Sequence, residues 1–262
     1  YADRVSINVE LPTKKGLTRL APDKDEGTIE GAMDKTKARI IEAKDERKRF
    51  RHAPRFAPAG QSTQMIVGAD DANDAAIVTK ASGLYKGFGL RRVYYSAFSP
   101  IPDASAVLPL KRPPLMREHR LYQSDWLMRF YGYSVDEIAP SEMPNLDLDI
   151  DPKLSWALRN RADFPVDVNK APKEILLRIP GIGVRSVNRI LQIRRWSVLK
   201  LEDLRKLGIS LKKCLPFLIA ADHNPIRLGL DGDRLRESLA PPPSQLELDF
   251  GSAQTSARTG EV

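Results

Sequence analysis

The chain has 262 residues, of which 42% are hydrophobic, so it can bury a core and is not an intrinsically disordered protein. Its formal net charge is +8, and twelve basic residues against five acidic ones between positions 163 and 220 account for almost all of this excess. A positive segment of this kind attracts polyanions such as nucleic acids, although charge runs also occur simply as solvated surface.

The single cysteine and the absence of long apolar runs limit the class of protein further. Cys214 alone cannot form an intramolecular disulfide or a cysteine-rich metal site, and it fits a reducing, cytoplasmic compartment. No run reaches the ~20 apolar residues of a membrane span, so we expect no membrane partner. No signal peptide is visible, and because the chain begins with Tyr1 rather than methionine we expect its natural start to lie upstream.

Strand and helix patterns alternate along the first part of the chain. Val5, Ile7 and Val9 share one side of a predicted strand, and a charged helix, an apolar strand, a second helix and a third strand follow. The predicted strands cover residues 4–9, 65–69 and 92–98, and the predicted helices cover residues 28–50 and 74–88. This order implies right-handed βαβ crossovers and a parallel sheet.

Three strands with two helices make a poor independent unit, because a parallel sheet needs both faces covered. We therefore interpret residues 1–105 as an α/β unit, the second half of a partial (β/α) barrel whose first half is absent. Residues 106–162 are expected to form a helical connector, with helices at 115–131 and 154–160. The first helix carries an apolar stripe that we interpret as core packing rather than as a ligand site, formed by Leu121, Tyr122, Trp126, Leu127, Phe130 and Tyr131.

The strongest local signal lies between positions 167 and 190. Pro172 suits the first turn of a helix, because its missing N–H would have no partner there. Gly181 and Gly183 are expected to supply the unusual backbone angles of a tight turn. Ile182 between them is expected to point into the core and fix the turn.

The second helix of this hairpin is predicted to begin at Val184. Its first amide groups, from Gly183 to Ser186, lack intrahelical partners, and with the positive end of the helix dipole they form a socket for phosphate. Arg185 and Arg189 lie four residues apart on the same helix, and such contacts hold a polynucleotide without reading its sequence. The alternative is an ordinary helix pair joined by a glycine turn. The predicted DNA-binding residues are Gly181, Ile182, Gly183, Val184, Arg185, Ser186 and Arg189.

A weaker copy of the hairpin follows, with predicted helices at 201–206 and 210–220 around a turn at 207–209. Paired hairpins hold both strands of a duplex across the minor groove. Because this copy has a single glycine, Gly208, it either adds a second phosphate contact or serves as packing. The two hairpins predict an all-α helix-hairpin-helix domain at residues 163–222.

Two short motifs resemble a known DNA-binding element. The segments DVNKA (167–171) and IPGIG (179–183) are similar to the helix-hairpin-helix of bacterial competence DNA receptors and of nucleotide-excision nucleases. That pattern often has an alanine where this chain has Val187, a departure that affects packing more than binding. The resemblance implies non-sequence-specific binding to the DNA backbone.

Longer segments resemble a second family. The chain contains VSINVELPT (5–13), LAPDK (20–24), FAPAGQSTQMIVG (56–68), RVYYSAFSPIP (92–102) and REHRLYQSDWLMRFYG (117–132). Together they resemble a bacterial radical SAM family associated with DNA modification or repair, in which a radical SAM barrel precedes a helix-hairpin-helix. The resemblance covers most of residues 1–222.

This resemblance implies a barrel that binds a 4Fe–4S cluster and S-adenosylmethionine and cleaves the latter to a 5′-deoxyadenosyl radical. In that family three cysteines in a CxxxCxxC motif hold the cluster. This chain lacks the motif, and Cys214 cannot replace it, so we expect the chain alone to bind neither cofactor.

Polar residues at strand ends face the mouth of such barrels, where ligands bind. The resemblance therefore implies cofactor contacts from Asn8, Glu10, Gly68, Tyr95 and Ser96. Barrel packing or strand capping is the alternative for each of them. No catalytic residue is assigned.

The last part of the chain, residues 223–262, is predicted to be a disordered tail because it is polar and rich in proline from position 228 onward. The segment QLELDF (245–250) resembles the peptide that binds bacterial sliding clamps. In that mode Leu248 and Phe250 fill an apolar pocket and Gln245 hydrogen-bonds at its rim. A chance match is the alternative.

Two functions remain open at this point. The chain is either the C-terminal portion of a radical SAM enzyme that acts on DNA, or a non-catalytic DNA-binding adaptor that uses its hairpins and the clamp peptide.

Overall fold

The computed structural model of the protein describes residues 2–100, 107–225 and 232–240. A three-stranded parallel sheet in the order β1–β2–β3 lies in the first part, which confirms the predicted sheet. Its strands are β1 (Val5–Ser6), β2 (Gln61–Val67) and β3 (Arg92–Ala97). The helices beside it are α1 (Lys14–Leu20), α2 (Glu26–Arg49) and α3 (Asp74–Phe88).

Strand β1 is shorter than the predicted 4–9. The N–H of Val9 donates to the Thr63 hydroxyl at 3.0 Å instead of to a main-chain carbonyl, and Glu10 has a φ of +61°. The ladder is therefore interrupted and resumes as an isolated bridge between Glu10 and Met65. The alternation of apolar residues does not show where a side chain replaces a main-chain partner. The sequence pattern therefore predicted too long a strand.

Helices cover one face of the sheet. Asp25 caps α2, Asn73 caps α3, and Gly89 ends α3 with a φ of +63°. The buried side chains between the sheet and these helices include Met33, Met65, Ile77, Val78, Leu84, Val93 and Tyr95. The opposite face carries polar side chains, where Gln64 donates to the Ser96 hydroxyl at 3.0 Å. Gln64 and Ser96 on this face are only partly buried.

Side chains accept the outward main-chain hydrogen bonds along the free edge of β3. The N–H of Val93 donates to the Tyr85 hydroxyl at 2.9 Å, and the N–H of Tyr95 donates to the Tyr122 hydroxyl at 3.0 Å. The next outward N–H, that of Ala97, donates to the Glu118 carboxylate at 2.9 Å. Since a further strand would need these same donors, the sheet ends at β3.

The connector helix divides into two parts. An α-helix, α4 (Leu115–Trp126), continues as a π-helical turn at Leu127–Tyr131. The predicted apolar stripe is only partly correct: Leu121 and Leu127 are buried, whereas Trp126 and Phe130 are 54% and 44% exposed. The wider π turn begins at Leu127 and rotates the later side chains, Phe130 among them, away from the face that the 3.6-residue period predicts.

Short helices dominate the second part. They are α5 (Val135–Ile138), α6 (Pro152–Arg159), α7 (Lys173–Leu176), α8 (Val184–Ile193), α9 (Leu201–Lys206) and α10 (Leu211–Cys214). The strands β4 (Val166–Asp167) and β5 (Leu218–Ile219) pair in parallel, so the prediction of an all-α domain was wrong. Strands of two residues are too short to show alternation.

The predicted helix at 210–220 was also wrong. Helix α10 ends at Cys214, a single 3₁₀ turn follows at Leu215–Phe217, and β5 comes next. Pro216 accounts for the change, because proline lacks the N–H that a continuing α-helix needs and its ring clashes with the preceding turn.

The predicted tail contains a helix, α11 (Gly232–Leu239). Leu235 and Leu239, four residues apart, are buried, and Arg236 contacts the Asp147 carboxylate at 2.5 Å. The prediction of disorder from position 228 onward was therefore wrong for this helix. Two leucines in a proline-rich, polar segment are too weak a pattern to predict a helix.

One apolar cluster runs through both parts of the chain. It extends from Val9 beside the sheet through Leu121 and Ile182 to Leu239 in α11. The sheet and the hairpins are therefore in contact through a shared core. Among the described residues, no helix is long and apolar enough to span a membrane.

The two hairpins are joined by one amide side chain. The N–H of Leu199 donates to Oδ1 of Asn169 at 2.8 Å, and Nδ2 of Asn169 donates back to the Leu199 carbonyl at 3.2 Å. Leu199 itself is fully buried, and although its carbonyl also accepts from the N–H of Ala221 at 3.0 Å, its N–H has Asn169 as its partner.

We predict that Asn169→Ala lowers the free energy of unfolding by about 1–3 kcal/mol, because it leaves the buried N–H of Leu199 unpaired and removes one of the two donors to its carbonyl. Urea denaturation measures this loss. Asn188→Ala on the exposed side of α8 is the matched control and should be close to neutral. Equal stabilities of the two variants would show that the Asn169 bonds do not hold the hairpins together.

Candidate nucleic-acid interface

Glycine is required at the first position of the hairpin turn for two reasons. Gly181 has a φ of +80°, which favours glycine. A Cβ at this position would also lie 3.1 Å from Cβ of Lys213 and 3.3 Å from the carbonyl oxygen of Ser210. Gly181 therefore allows the first hairpin to pack closely against the second.

Gly183 does not need an unusual backbone angle, so that part of the prediction was wrong. Its φ is −97° and its ψ is 168°, an extended conformation open to any residue. A Cβ at this position would lie 3.4 Å from the hydroxyl oxygen of Tyr131, an ordinary contact. Gly183 acts as the N-cap of α8 without a side chain that could occupy the free amides.

Ile182 fixes the turn from inside, as predicted. Its side chain is 1% exposed, and its N–H donates to the carbonyl of Ile179 at 3.2 Å. Its carbonyl accepts a hydrogen bond from Nζ of Lys153 at 2.6 Å. Because C=O and N–H point in opposite directions across a trans peptide, an inward carbonyl at Ile182 turns the N–H of Gly183 outward.

The start of α8 has a run of free main-chain donors. The N–H groups of Gly183, Val184, Arg185 and Ser186 make no hydrogen bond within the described part of the chain. The first satisfied amide of the helix is that of Val187, which donates to the Gly183 carbonyl at 2.9 Å. Free donors at the positive end of a ten-residue helix favour an anion.

Arg185 and Arg189 flank these amides. Both are exposed, lie one turn apart on α8 and form no ion pair with any described residue. Arg178 and Arg194, by contrast, are used internally. Arg178 pairs with Glu137 at 2.7 Å, and Arg194 donates to the Ala171 carbonyl at 2.6 Å. The positive charge of residues 163–220 is thus partly structural, whereas Arg185 and Arg189 on α8 are exposed beside the free amides.

The second hairpin lies beside the first. Gly208 has a φ of +75°, and Ile209 is 5% exposed, in the positions that Gly181 and Ile182 have in the first turn. Helix α10 has only four residues, so its positive end is weak. Lys212 is exposed, and Lys213 contacts Gly181 as described above. The second hairpin supports the first turn and adds basic side chains next to it.

Lys153 is the residue that sequence reasoning missed. It lies on α6 among apolar residues and is 8% exposed, with its ammonium group 4.8 Å from the centre of the Tyr131 ring. Burial lowers the pKa of its amine to about 7, although the nearby Asp151 opposes this effect. A lysine in a mostly apolar stretch (Pro152 to Ala157) was the available signal.

The five predicted cofactor contacts do not all face one ligand. Tyr95 is 1% exposed and packs edge-on against Tyr122 in the helix-covered core. Ser96, the next residue, faces the opposite side of the sheet, because strand side chains alternate. Tyr95 therefore cannot share a ligand with Ser96, and we assign it to packing.

The other three predicted contacts have partners within the chain. Asn8 accepts a hydrogen bond from the Ser6 hydroxyl at 2.9 Å, and Glu10 pairs with Lys24 at 2.5 Å. Gly68 has a φ of +80°, and a Cβ there would lie 2.8 Å from Cγ of Pro113. Each of these residues has a structural role that explains its position.

The residues present do not fit an iron–sulfur cluster. The Cys214 thiol is buried, donates to the Leu211 carbonyl at 3.6 Å, and has a pKa raised to about 11 by burial. Within the described ranges, no group of three or more His, Cys, Asp or Glu residues is placed to hold a metal ion. The clamp-peptide residues Gln245, Leu248 and Phe250 lie outside the described residues.

We predict that stability depends on pH through Lys153. The amine has a lower pKa in the folded chain than the ordinary 10.5, so unfolding takes up a proton above pH 7. The free energy of unfolding should therefore rise between about pH 7 and pH 9, by ~2 kcal/mol. Urea denaturation at a series of pH values measures this rise.

Lys153→Met should remove this slope, since methionine does not titrate, whereas Lys35→Met at an exposed position should retain it. If Lys153→Met and the unchanged protein show the same pH dependence, the buried amine does not have a lowered pKa.

Comparison with known proteins gave no match. No protein family, curated protein or solved structure matches the chain. Function has to be inferred from the contacts and charges of the residues themselves.

Proposed function

We propose that the chain binds DNA through its phosphate groups, at the start of α8, without reading the base sequence. The observation that supports this most directly is the run of free N–H groups from Gly183 to Ser186, the first of which is turned outward by the inward carbonyl of Ile182. Main-chain donors at a helix N-terminus bind a phosphate oxygen in a fixed geometry.

The surrounding side chains favour a polynucleotide over a small anion. Arg185 and Arg189 are one helical turn apart and free to reach phosphates on either side of the one at the amides. Exposed Lys212 extends the positive surface across the contact between the two turns. A linear array of cations matches a linear array of phosphates and releases counterions when it binds.

The two hairpins support binding to a duplex. Because Gly181 lets the turns touch, both hairpins present their turns close together, which suits two strands separated by one groove. The donors at the first turn are main-chain groups, which carry no preference among bases. We therefore propose non-sequence-specific binding across the minor groove.

Participation in radical-based DNA modification or repair is a second candidate function. It rests on the sequence resemblance and on the partly exposed polar side chains of Gln64 and Ser96 on the sheet face opposite the helices, since parallel sheets normally have both faces covered. The closed outer edge of β3 suits a partial barrel that ends at this strand. Iron content after anaerobic reconstitution separates this function from that of a non-catalytic adaptor, and on the residues present we expect none.

We predict that Val184→Pro weakens duplex binding by about tenfold, because it deletes one N–H that faces the phosphate. Proline is tolerated at the first helical position, and the extended Gly183 before it is compatible with proline. Val184→Ala shortens the same side chain but keeps the N–H, and it should bind nearly as tightly as the unchanged protein. Fluorescence anisotropy with a labelled duplex measures both. Equal losses in the two variants would exclude a role for this amide.

We also predict that Arg185→Ala lowers affinity equally for duplexes of unrelated sequence. The slope of log K against log salt concentration should become shallower by about 0.9, the value for one phosphate contact. Arg51→Ala, at an exposed arginine outside the hairpins, is the control and should leave the slope unchanged. An effect that varies strongly with sequence would contradict backbone recognition.

A further inference from the structure

A cleft of about 380 Å³ lies between the end of α4, the π-helical turn and the start of α6. Its volume is within the range of small-molecule and cofactor sites. Aromatic and basic side chains make up most of its lining, among them Tyr122, Trp126, Tyr131, Arg92, Arg129 and Lys153.

Two large aromatic rings are exposed at this cleft: Trp126 lines it, and Phe130 packs against Trp126. Trp126 and Phe130 are 54% and 44% exposed, and their ring centres are 4.4 Å apart. They are i and i+4 residues at the junction of α4 with the π turn, and π turns inside helices occur frequently at functional sites. A flat, exposed aromatic surface is suited to stacking on another planar ring.

Guanidinium groups lie next to the rings. Arg129 is 4.9 Å from the centre of the Phe130 ring, and Arg92 is 5.6 Å from that of Tyr122. Two carboxylates also line the cleft, but both have partners. Asp125 pairs with Tyr85 and Arg129, and Asp151 accepts from the Leu154 N–H at 3.0 Å. Aromatic faces interleaved with arginines are the usual surface for unpaired nucleotides.

The cleft shares a wall with the phosphate socket. Lys153 lines the cleft and donates to the Ile182 carbonyl at 2.6 Å, on the inner side of the hairpin turn. Tyr131 also lines the cleft, and its hydroxyl would be 3.4 Å from a Cβ at Gly183. A strand held at the turn therefore passes close to the cleft.

We propose that this cleft and the Trp126–Phe130 ring pair bind an unpaired nucleotide of a DNA strand whose neighbouring duplex is held by the hairpins. The inference rests on the proposed DNA-binding function and specifies its substrate as duplex DNA that adjoins a single-stranded segment. The base stacks on the exposed rings, and Arg92 and Arg129 lie near its phosphates. Because every base has an aromatic face, this contact is also independent of sequence.

The test compares three ligands: a blunt duplex, the same duplex with a short thymidine tail, and the same duplex with a tail of abasic sites. The abasic tail keeps the phosphates but removes the rings. We expect the thymidine tail to raise affinity by about tenfold over the abasic tail, a typical gain from base stacking. Fluorescence anisotropy measures all three with the full chain.

Two tryptophan variants locate the stacking surface. Trp126→Ala should abolish the gain from the thymidine tail and leave the affinity for the blunt duplex unchanged. Trp196→Ala is the matched control, because Trp196 is 90% exposed and does not line the cleft, and it should retain the gain.

The outcomes separate this inference from the function on which it rests. The inference alone is overturned if the chain binds the blunt duplex but the thymidine tail does not raise the affinity. It is also overturned if the thymidine and abasic tails raise the affinity equally. The same holds if the gain survives in Trp126→Ala. A chain that binds no duplex at low ionic strength overturns the proposed function and the inference together.

Discussion

The hairpin turn depends on a hydrogen bond that comes from inside the core. Nζ of Lys153 reaches the carbonyl of Ile182 at 2.6 Å, in a site where the lysine is 8% exposed. Burying an ammonium group is unfavourable, and the lowered pKa of the amine reflects this. An unpaired carbonyl in the same place would also be unfavourable, so each group compensates for the other. Fixing this one peptide determines which way the next amide points.

The rest of the interface follows from that orientation. The buried side chain of Ile182 and the close contact of Gly181 with the second hairpin hold the turn against the core. Asn169 holds the segment between α8 and α9 in place by binding both main-chain groups of Leu199. The free amides at the start of α8 are thus positioned by contacts within the chain, and under the proposed function this lowers the ordering cost of binding.

Sequence reasoning was most successful where the signal was local. The pattern of apolar residues correctly predicted α3 over its full length. The Pro-Gly-Ile-Gly turn correctly predicted the start of α8 and the burial of Ile182. The parallel order of the sheet followed from the alternation of strands and helices. These features depend on neighbouring residues, so a single sequence contains the information.

Several failures share a physical cause, because each of them involves a contact between distant parts of the chain, whereas the predicted helix at 210–220 failed for a local reason, Pro216. Thr63 interrupts β1, and Leu235 docks α11 on the core from a proline-rich segment. Tyr95 is buried rather than at a ligand site because α4 returns to cover it. Lys153 lies 29 residues from the carbonyl that it binds. Periodicity within one segment does not report on such partners.

NMR spectroscopy offers the most direct test of the phosphate socket. Amide ¹H–¹⁵N resonances of the full chain are followed during titration with duplexes of unrelated sequence at low ionic strength. We expect the signals of Gly183, Val184, Arg185 and Ser186 to shift in the same way with every duplex. Duplex binding that leaves these four amides unchanged, or shifts that depend on sequence, would contradict capture of phosphate by the main chain.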